Sequence, residues 1–182
     1  YVGDDTGWTP PNGEQEAAEA CCFCGGGKTA EKKVEVEYLY LDLNTCDRCI
    51  GTDNVLDEVM MTLTPALQFA GFVVKYNKIE MKTAELAIKH CFLSSPTIRV
   101  NGQDICGSVK ENNCGCCSEI SESDVDCRVF EYNGETYEVP PNEMIAAAIM
   151  HTIFGQTDSG SSYGDYEMPM NLKTFFEGKK SA

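Results

Sequence analysis

The sequence predicts an α/β fold: a mixed sheet flanked by helices, with an extra Cys-rich loop and hairpin and extended N- and C-terminal tails. Three observations carry this. From Val34 to Leu43 apolar residues fall on both sides of an extended run, which marks a central strand. From Val55 to Leu67 they recur at helical spacing. Two Asn-Gly pairs, Asn101-Gly102 and Asn133-Gly134, stand between short β-type runs, a strong hairpin signal.

A chain of 182 residues with 42% hydrophobic content suits one domain of ordinary size with extensions. Lys plus Arg number 14 against 29 Asp plus Glu, and the formal charge of -15 repels phosphate backbones, which excludes nucleic acid as an expected partner. The longest apolar run, Met144 to Met150, falls far short of the roughly 20 residues a membrane span needs. The 11 cysteines are an odd number, so at least one thiol lacks an intramolecular partner. In a reducing cytosol such a set points to metal binding or catalysis, and outside the cell to disulfides. Tyr1 in place of Met is what removal of a leader leaves, so the chain is expected to be extracellular or exported, and cytoplasmic if Tyr1 is not a processed terminus.

Residues 1–32 are expected to form an extended arm, because Gly, Pro, Glu, Asp and Ala without an apolar period build no core. Cys21, Cys22 and Cys24 lie in it beside Gly25-Gly26-Gly27, placed for a disulfide or cross-link to another subunit, or for a metal. The domain proper is expected over 33–154. Its first strand points Val34, Val36, Tyr38 and Tyr40 one way and Leu39, Leu41 and Leu43 the other. It ends in Cys46-Asp47-Arg48-Cys49, a spacing at which two sulfurs can close a disulfide or share a soft ion. Gly51, Thr52 and Asp53 read as a cap, so the helix is expected from about Thr52 or Asp53 to Ala70. Pro65 is expected to kink or divide it, and Gly71 to stop it. Phe72 to Tyr76 reads as the next strand. Thr83 to Cys91 reads as a helix with Ala84, Ala87, Ile88 and Cys91 on its apolar side. Then come two hairpins around the Asn-Gly pairs, and a helix from Pro141-Asn142 to about Phe154. Residues 155–182 are expected to be a linker and a docking tail, with Met168, Met170, Leu172, Phe175 and Phe176 seated on the domain or on a neighbour.

Between the hairpins lie Cys114, Cys116 and Cys117, with Cys106 upstream and Cys127 downstream. The lack of apolar periodicity there speaks against burial of these thiols. Cys-x-C-C can offer zinc or another thiophilic metal two or three thiolates, although it lacks the repeated Cys-x-x-C of a zinc ribbon. In an exported chain the same cysteines, Cys106 and Cys127 included, would staple the loop by disulfides. Cys91 reads as a small core residue, and His90 and His151 carry no ligand pattern.

The order of strand, Cys-x-x-C, helix, strand, helix, Ser-Ser-Pro-Thr, hairpin and late helix resembles the thioredoxin fold from about Val34 to Phe154. That resemblance implies that Pro96 is a cis-proline whose loop faces Cys46 and Cys49, with Cys46, Cys49 and Pro96 as the catalytic set. A closer resemblance is to the Cys-rich prokaryotic family catalogued as domain of unknown function 2703. It is carried by Thr45-Cys46-Asp47-Arg48-Cys49, by Cys114-Gly115-Cys116-Cys117, and by Cys127 to Glu138. It implies a thioredoxin-like fold with extra cysteines and brings no established activity. Unlike an ordinary thioredoxin, the chain has no Trp directly before Cys46, its single Trp being Trp8 in the N-terminal tail, and its expected helix begins several residues after the pair, which weakens activation of a nucleophile. Arg48 favours the thiolate, while Asp42 and Asp47 oppose it.

Three functions follow as expectations. The first is dithiol exchange in which Cys46 attacks and Cys49 resolves, the chemistry of a thiol-disulfide oxidoreductase, with no cofactor required. The second is a structural subunit of a disulfide-linked extracellular assembly or filament, a homo-oligomer joined through its terminal arms. The third is soft metal or metalloid binding.

Overall fold

The computed structural model describes residues 31–155 and 165–181, so the Cys21, Cys22 and Cys24 arm and most of the expected linker lie outside the described residues. β1 (Lys32–Tyr40) leads through α1 (Asp47–Phe69) to β2 (Phe72–Glu80), which pairs parallel to β1. After α2 (Ala84–Lys89), β3 (Thr97–Val100) pairs antiparallel on the other side of β1 and β4 (Gln103–Asp104) folds back on β3. The resulting sheet has the order β2-β1-β3-β4, with β1 inside as its two-sided apolar pattern requires. Val34, Val36 and Tyr38 pack against Leu56, Val59 and Met60 of α1 and against Ile145 and Ile149 of α4 (Asn142–Phe154). Leu39 and Leu41 belong to a second core that contains Phe92 and most of the cysteines.

A smaller antiparallel sheet, β5-β6-β7, is built from Lys110–Asn113, Asp126–Tyr132 and Glu135–Tyr137, with α3 (Gly115–Ser121) between its first two strands. Both Asn-Gly pairs form the turns read from the sequence. Asn101 and Gly102 have φ of 51° and 80°, and Asn133 and Gly134 of 53° and 85°, the two positive values that a type I′ turn needs. The architecture is thus the mixed-sheet, thioredoxin-like arrangement expected, with an added small sheet. Among the described residues no helix is long and apolar enough to cross a membrane.

Three local expectations are corrected. α1 starts at Asp47 rather than near Thr52, with Cys46 as its N-cap. The start lies earlier because the Asp42 carboxylate accepts from the backbone N–H groups of Asn44 (2.9 Å), Thr45 (2.6 Å) and Cys46 (3.3 Å), folding the chain into a turn that feeds the helix. Burial works against ionisation of Asp42, and the hydrogen bonds from Thr45 and Asn44 outweigh it, holding the carboxyl below its usual range. That carboxylate is therefore occupied in the turn. The helix also continues through Pro65 to Phe69, and stops where Gly71, at φ 84°, donates to the Gln68 carbonyl. α2 ends at Lys89, short of Cys91, because Arg99 draws the carbonyls of His90 (2.6 Å) and Cys91 (2.9 Å) onto β3. Ile88 is left facing solvent.

Gly51 is a packing residue inside α1 and not a cap. A Cβ there would lie 2.6 Å from Cγ2 of Val139. Gly to Ala in a helix interior ordinarily stabilises by about 0.5–1 kcal/mol. Gly51→Ala is expected instead to destabilise by about 1–2 kcal/mol through overpacking. In a Val139→Ala background the same change should become stabilising, which urea unfolding of the four proteins would read.

The C-terminal apolar patch docks on the chain's own domain. α5 (Met170–Ser181) lies against α3, with Leu172, Phe175 and Phe176 buried and Met170 exposed. The approach is so close that a Cβ on Gly178 would strike the backbone carbonyl of Ser121.

Candidate metal centre

Two helices begin on a cysteine and carry a second cysteine three residues on. Cys46 is the N-cap of α1 and Cys49 sits in its first turn; Cys114 is the N-cap of α3 and Cys117 sits in the same place there. The sulfurs of the two N-caps are 4.0 Å apart, and Cys117 Sγ is 3.8 Å from Cys46 Sγ. All three sulfurs lie within 4.8 Å of one another. Cys127, from β6, places its sulfur 3.3 Å from Cys117. Cys46, Cys49, Cys117 and Cys127 are 0% exposed and Cys114 is 2% exposed.

Two buried arginines hold the small sheet and α3 against the main sheet, and so set these distances. Arg48, 7% exposed, donates from Nη1 to the carbonyls of Asn112 (3.3 Å) and Cys127 (3.2 Å), and from Nη2 to the carbonyl of Asn113 (2.8 Å) and to Glu138 (2.5 Å). It therefore ties the start of α1 to the strands that flank Cys114 and Cys127, and is not simply a charge beside a thiolate. Arg128, on β6, donates to Thr97 Oγ1 (3.0 Å) and Asp104 (2.7 Å), while its backbone N–H reaches the Ser95 carbonyl (2.7 Å).

The Ser95–Pro96 bond is cis and its loop faces the first cysteine pair. Ser95 makes the contact: its Oγ lies 3.3 Å from Cys49 Sγ and accepts from the Leu41 N–H at 3.1 Å. On the other side Tyr38 donates its hydroxyl to the Cys49 carbonyl at 2.7 Å. The cover is α5, whose Leu172, Phe175 and Phe176, with Met168 just before it, lie in the same apolar cluster as the sulfurs. Gly178→Ala should loosen this cover without touching a cysteine. Thiol-reagent kinetics on the reduced protein are expected to show the buried thiols reacting at least about tenfold faster, as they would if the opening free energy fell by about 1.4 kcal/mol.

Packed thiols divide one proton inventory unequally. The neighbouring thiols of Cys114, Cys117, Cys127 and Cys49 favour a thiolate at Cys46 and hold its thiol below the usual range. Cys114 is brought down to about 7 by the neighbouring thiols of Cys117 and Cys127. Cys49 is pushed up by its bond to Cys46 and by burial, and Cys117 and Cys127 are pushed up chiefly by Cys114. The cluster thus favours thiolate at Cys46 and then at Cys114, and an ion supplying positive charge there would release the remaining protons.

The sulfur spacing fits a soft ion. With zinc–sulfur bonds of about 2.3 Å, the edge of a tetrahedral sulfur set is about 3.8 Å and that of a trigonal one about 4.0 Å. The separations of 3.8 and 4.0 Å around Cys46 match both.

Other cysteines named from the sequence lie elsewhere. Cys116 is half-buried with its sulfur 4.0 Å from Asp47, outside the three-sulfur group. Cys106 has its thiol pushed up to about 12 by burial and by Asp104. The eight cysteines among the described residues carry free thiols. Burial of Cys114 and Cys117 corrects the expectation of an exposed loop: the segment is a short helix whose buried side faces α5 and the cysteines of α1. The signal in the sequence was present, since Cys114-Gly115-Cys116-Cys117 is itself a Cys-x-x-C. The extra Cys116 hid the match to Cys46-x-x-Cys49.

No curated protein and no solved structure matches the chain. Residues 34–149 match the family described as Domain of unknown function (DUF2703), a stretch that contains all five clustered sulfurs but not α5. Through that match the chain belongs to the DUF2703 family.

Proposed function

We propose that this protein binds a soft, thiophilic metal ion through the thiolates of Cys46, Cys114 and Cys117. The observation that carries the reading is the convergence of three buried sulfurs, within 4.8 Å of one another, from segments 68 residues apart in the chain. Buried cysteines can serve as small apolar residues. That role does not call for sulfur to pack on sulfur while Leu, Phe and Met supply the surrounding core. Softness of the donors favours zinc, monovalent copper or a comparable ion over magnesium or calcium.

Dithiol exchange at Cys46 and Cys49 is the second reading, supported by their place at the start of α1 and by the facing cis-proline loop. The same features support descent from a thioredoxin-like ancestor. Against exchange stands burial, because an attacking thiolate has to reach its disulfide, and both sulfurs are 0% exposed.

The test is an anaerobic titration of reduced protein with zinc in competition with a chromophoric chelator, beside a variant with Cys46, Cys114 and Cys117 all changed to Ser. Tight binding of one ion by the natural chain and its loss in the variant is the expected result. Equal binding by both would refute the assignment. A substrate-disulfide reductase assay on the same metal-free sample would decide the second reading.

A further inference from the structure

A single ion on Cys46, Cys114 and Cys117 leaves a sulfur outside the three-sulfur group in close contact with one of the ligands. Cys127 Sγ lies 3.3 Å from Cys117 Sγ, nearer than Cys46, the fellow ligand of Cys117, at 3.8 Å. Cys49, by contrast, has its sulfur against Ser95 Oγ. The strand that carries Cys127 is pinned: its carbonyl accepts from Arg48 at 3.2 Å, and the next N–H, of Arg128, donates to the Ser95 carbonyl at 2.7 Å. Cys117 sits in α3, a helix of only seven residues, ten positions earlier in the chain. Closing the gap to the about 2.05 Å of a disulfide takes a movement of roughly 1.3 Å. The pair is therefore placed to bond.

We propose that Cys117 and Cys127 form an oxidation site, at which hydrogen peroxide joins the two sulfurs and so reversibly releases the bound ion. This rests on the soft-ion reading above and adds its regulation. The Cys117 thiolate attacks one peroxide oxygen: an S–O bond forms, the O–O bond breaks and hydroxide leaves. The Cys127 thiol then attacks the sulfur of the resulting sulfenic acid, forming the S–S bond and breaking the S–O bond, and the hydroxyl leaves as water with the Cys127 proton. Two electrons pass from the sulfurs to the peroxide oxygens. A sulfur in a disulfide is no longer a thiolate, so the ion keeps only Cys46 and Cys114, too few to hold it. Burial selects the oxidant. Both sulfurs are 0% exposed, in one apolar cluster with Leu172, Phe175 and Phe176 of α5. A small uncharged peroxide passes a brief opening of that cover where a protein disulfide does not.

Reduced protein is loaded anaerobically with zinc, freed of excess, and treated with hydrogen peroxide beside a chromophoric chelator too weak to extract zinc on its own. The natural chain should release its zinc, and digestion without reductant should find the Cys117 and Cys127 peptides joined, a result that does not depend on any variant folding. Dithiothreitol should then restore zinc binding. Cys127→Ser should bind zinc within a factor of about two before peroxide. After peroxide it should fail to recover with dithiothreitol, because Cys117 without its resolving partner is carried on to sulfinic acid. Zinc retained by the natural chain under peroxide, release with Cys46 joined to Cys49 instead, or full recovery by Cys127→Ser would overturn the oxidation site while leaving the metal site standing. A large loss of zinc affinity in Cys127→Ser before peroxide would do the same, by making Cys127 a further ligand. A natural chain that binds no zinc at the outset would remove both.

Discussion

Changing Arg48 to Ala is expected to lower the unfolding free energy by about 3 kcal/mol, read as a lower urea midpoint with little change in slope. The side chain satisfies three backbone carbonyls, of Asn112, Asn113 and Cys127, and its loss strands them at the junction of α1 with the small sheet. A buried acceptor left without a donor costs about 1–3 kcal/mol, and partial entry of water at Asn112 and Asn113 keeps the sum near the lower end. The ion pair with Glu138 contributes little, because that carboxylate is 60% exposed. Glu138→Gln should therefore change stability by less than about 0.5 kcal/mol. Arg48→Lys should fall between the two, since an ammonium cannot fork across several carbonyls. If Glu138→Gln were as harmful as Arg48→Ala, the clamp would be an ion pair and the carbonyl explanation would fail.

Cys46→Ser is expected to weaken zinc binding by roughly a hundredfold or more while leaving the metal-free fold nearly as stable. A structural zinc site contributes about 10–16 kcal/mol over four ligands, so one thiolate accounts for about 3 kcal/mol. Ser keeps the shape of the N-cap and is a good capping residue, so α1 should still start at Asp47. Cys116→Ser is the matched control. It lies beside Cys117 in the chain but outside the three-sulfur group, and its affinity should stay within a factor of about two. Competition dialysis of the three proteins against a common chelator gives the ratios directly. A loss at Cys116 as large as that at Cys46 would mean that the metal sits nearer the surface.

Much of the fold was legible because its signals are local. The two-sided apolar run of Val34 to Leu43 gave the central strand, and the Asn-Gly pairs gave both hairpins. The start of α1 was misread because Gly51, Thr52 and Asp53 resemble a cap. The true determinants are the Asp42 turn before the helix and a close approach of Val139, and only the second depends on distant chain. The site was half legible. Cys-x-x-C and the loop of Pro96 announced one side, since their spacing and order survive in one dimension. The other side depends on α3 being capped by Cys114 and covered by Phe175 and Phe176 from some 60 residues further on, a burial that no local period records. Arg48 looked like a partner for a thiolate and proved to be a clamp, because its acceptors are backbone carbonyls, which every sequence contains.

The most direct test of the central claim is X-ray absorption at the metal edge of reduced protein loaded with one equivalent of zinc. The account predicts a first shell made of sulfur at about 2.3 Å, with at least three sulfur neighbours, reduced by one in Cys46→Ser. A shell dominated by nitrogen or oxygen, or one that Cys46→Ser leaves unchanged, would contradict it.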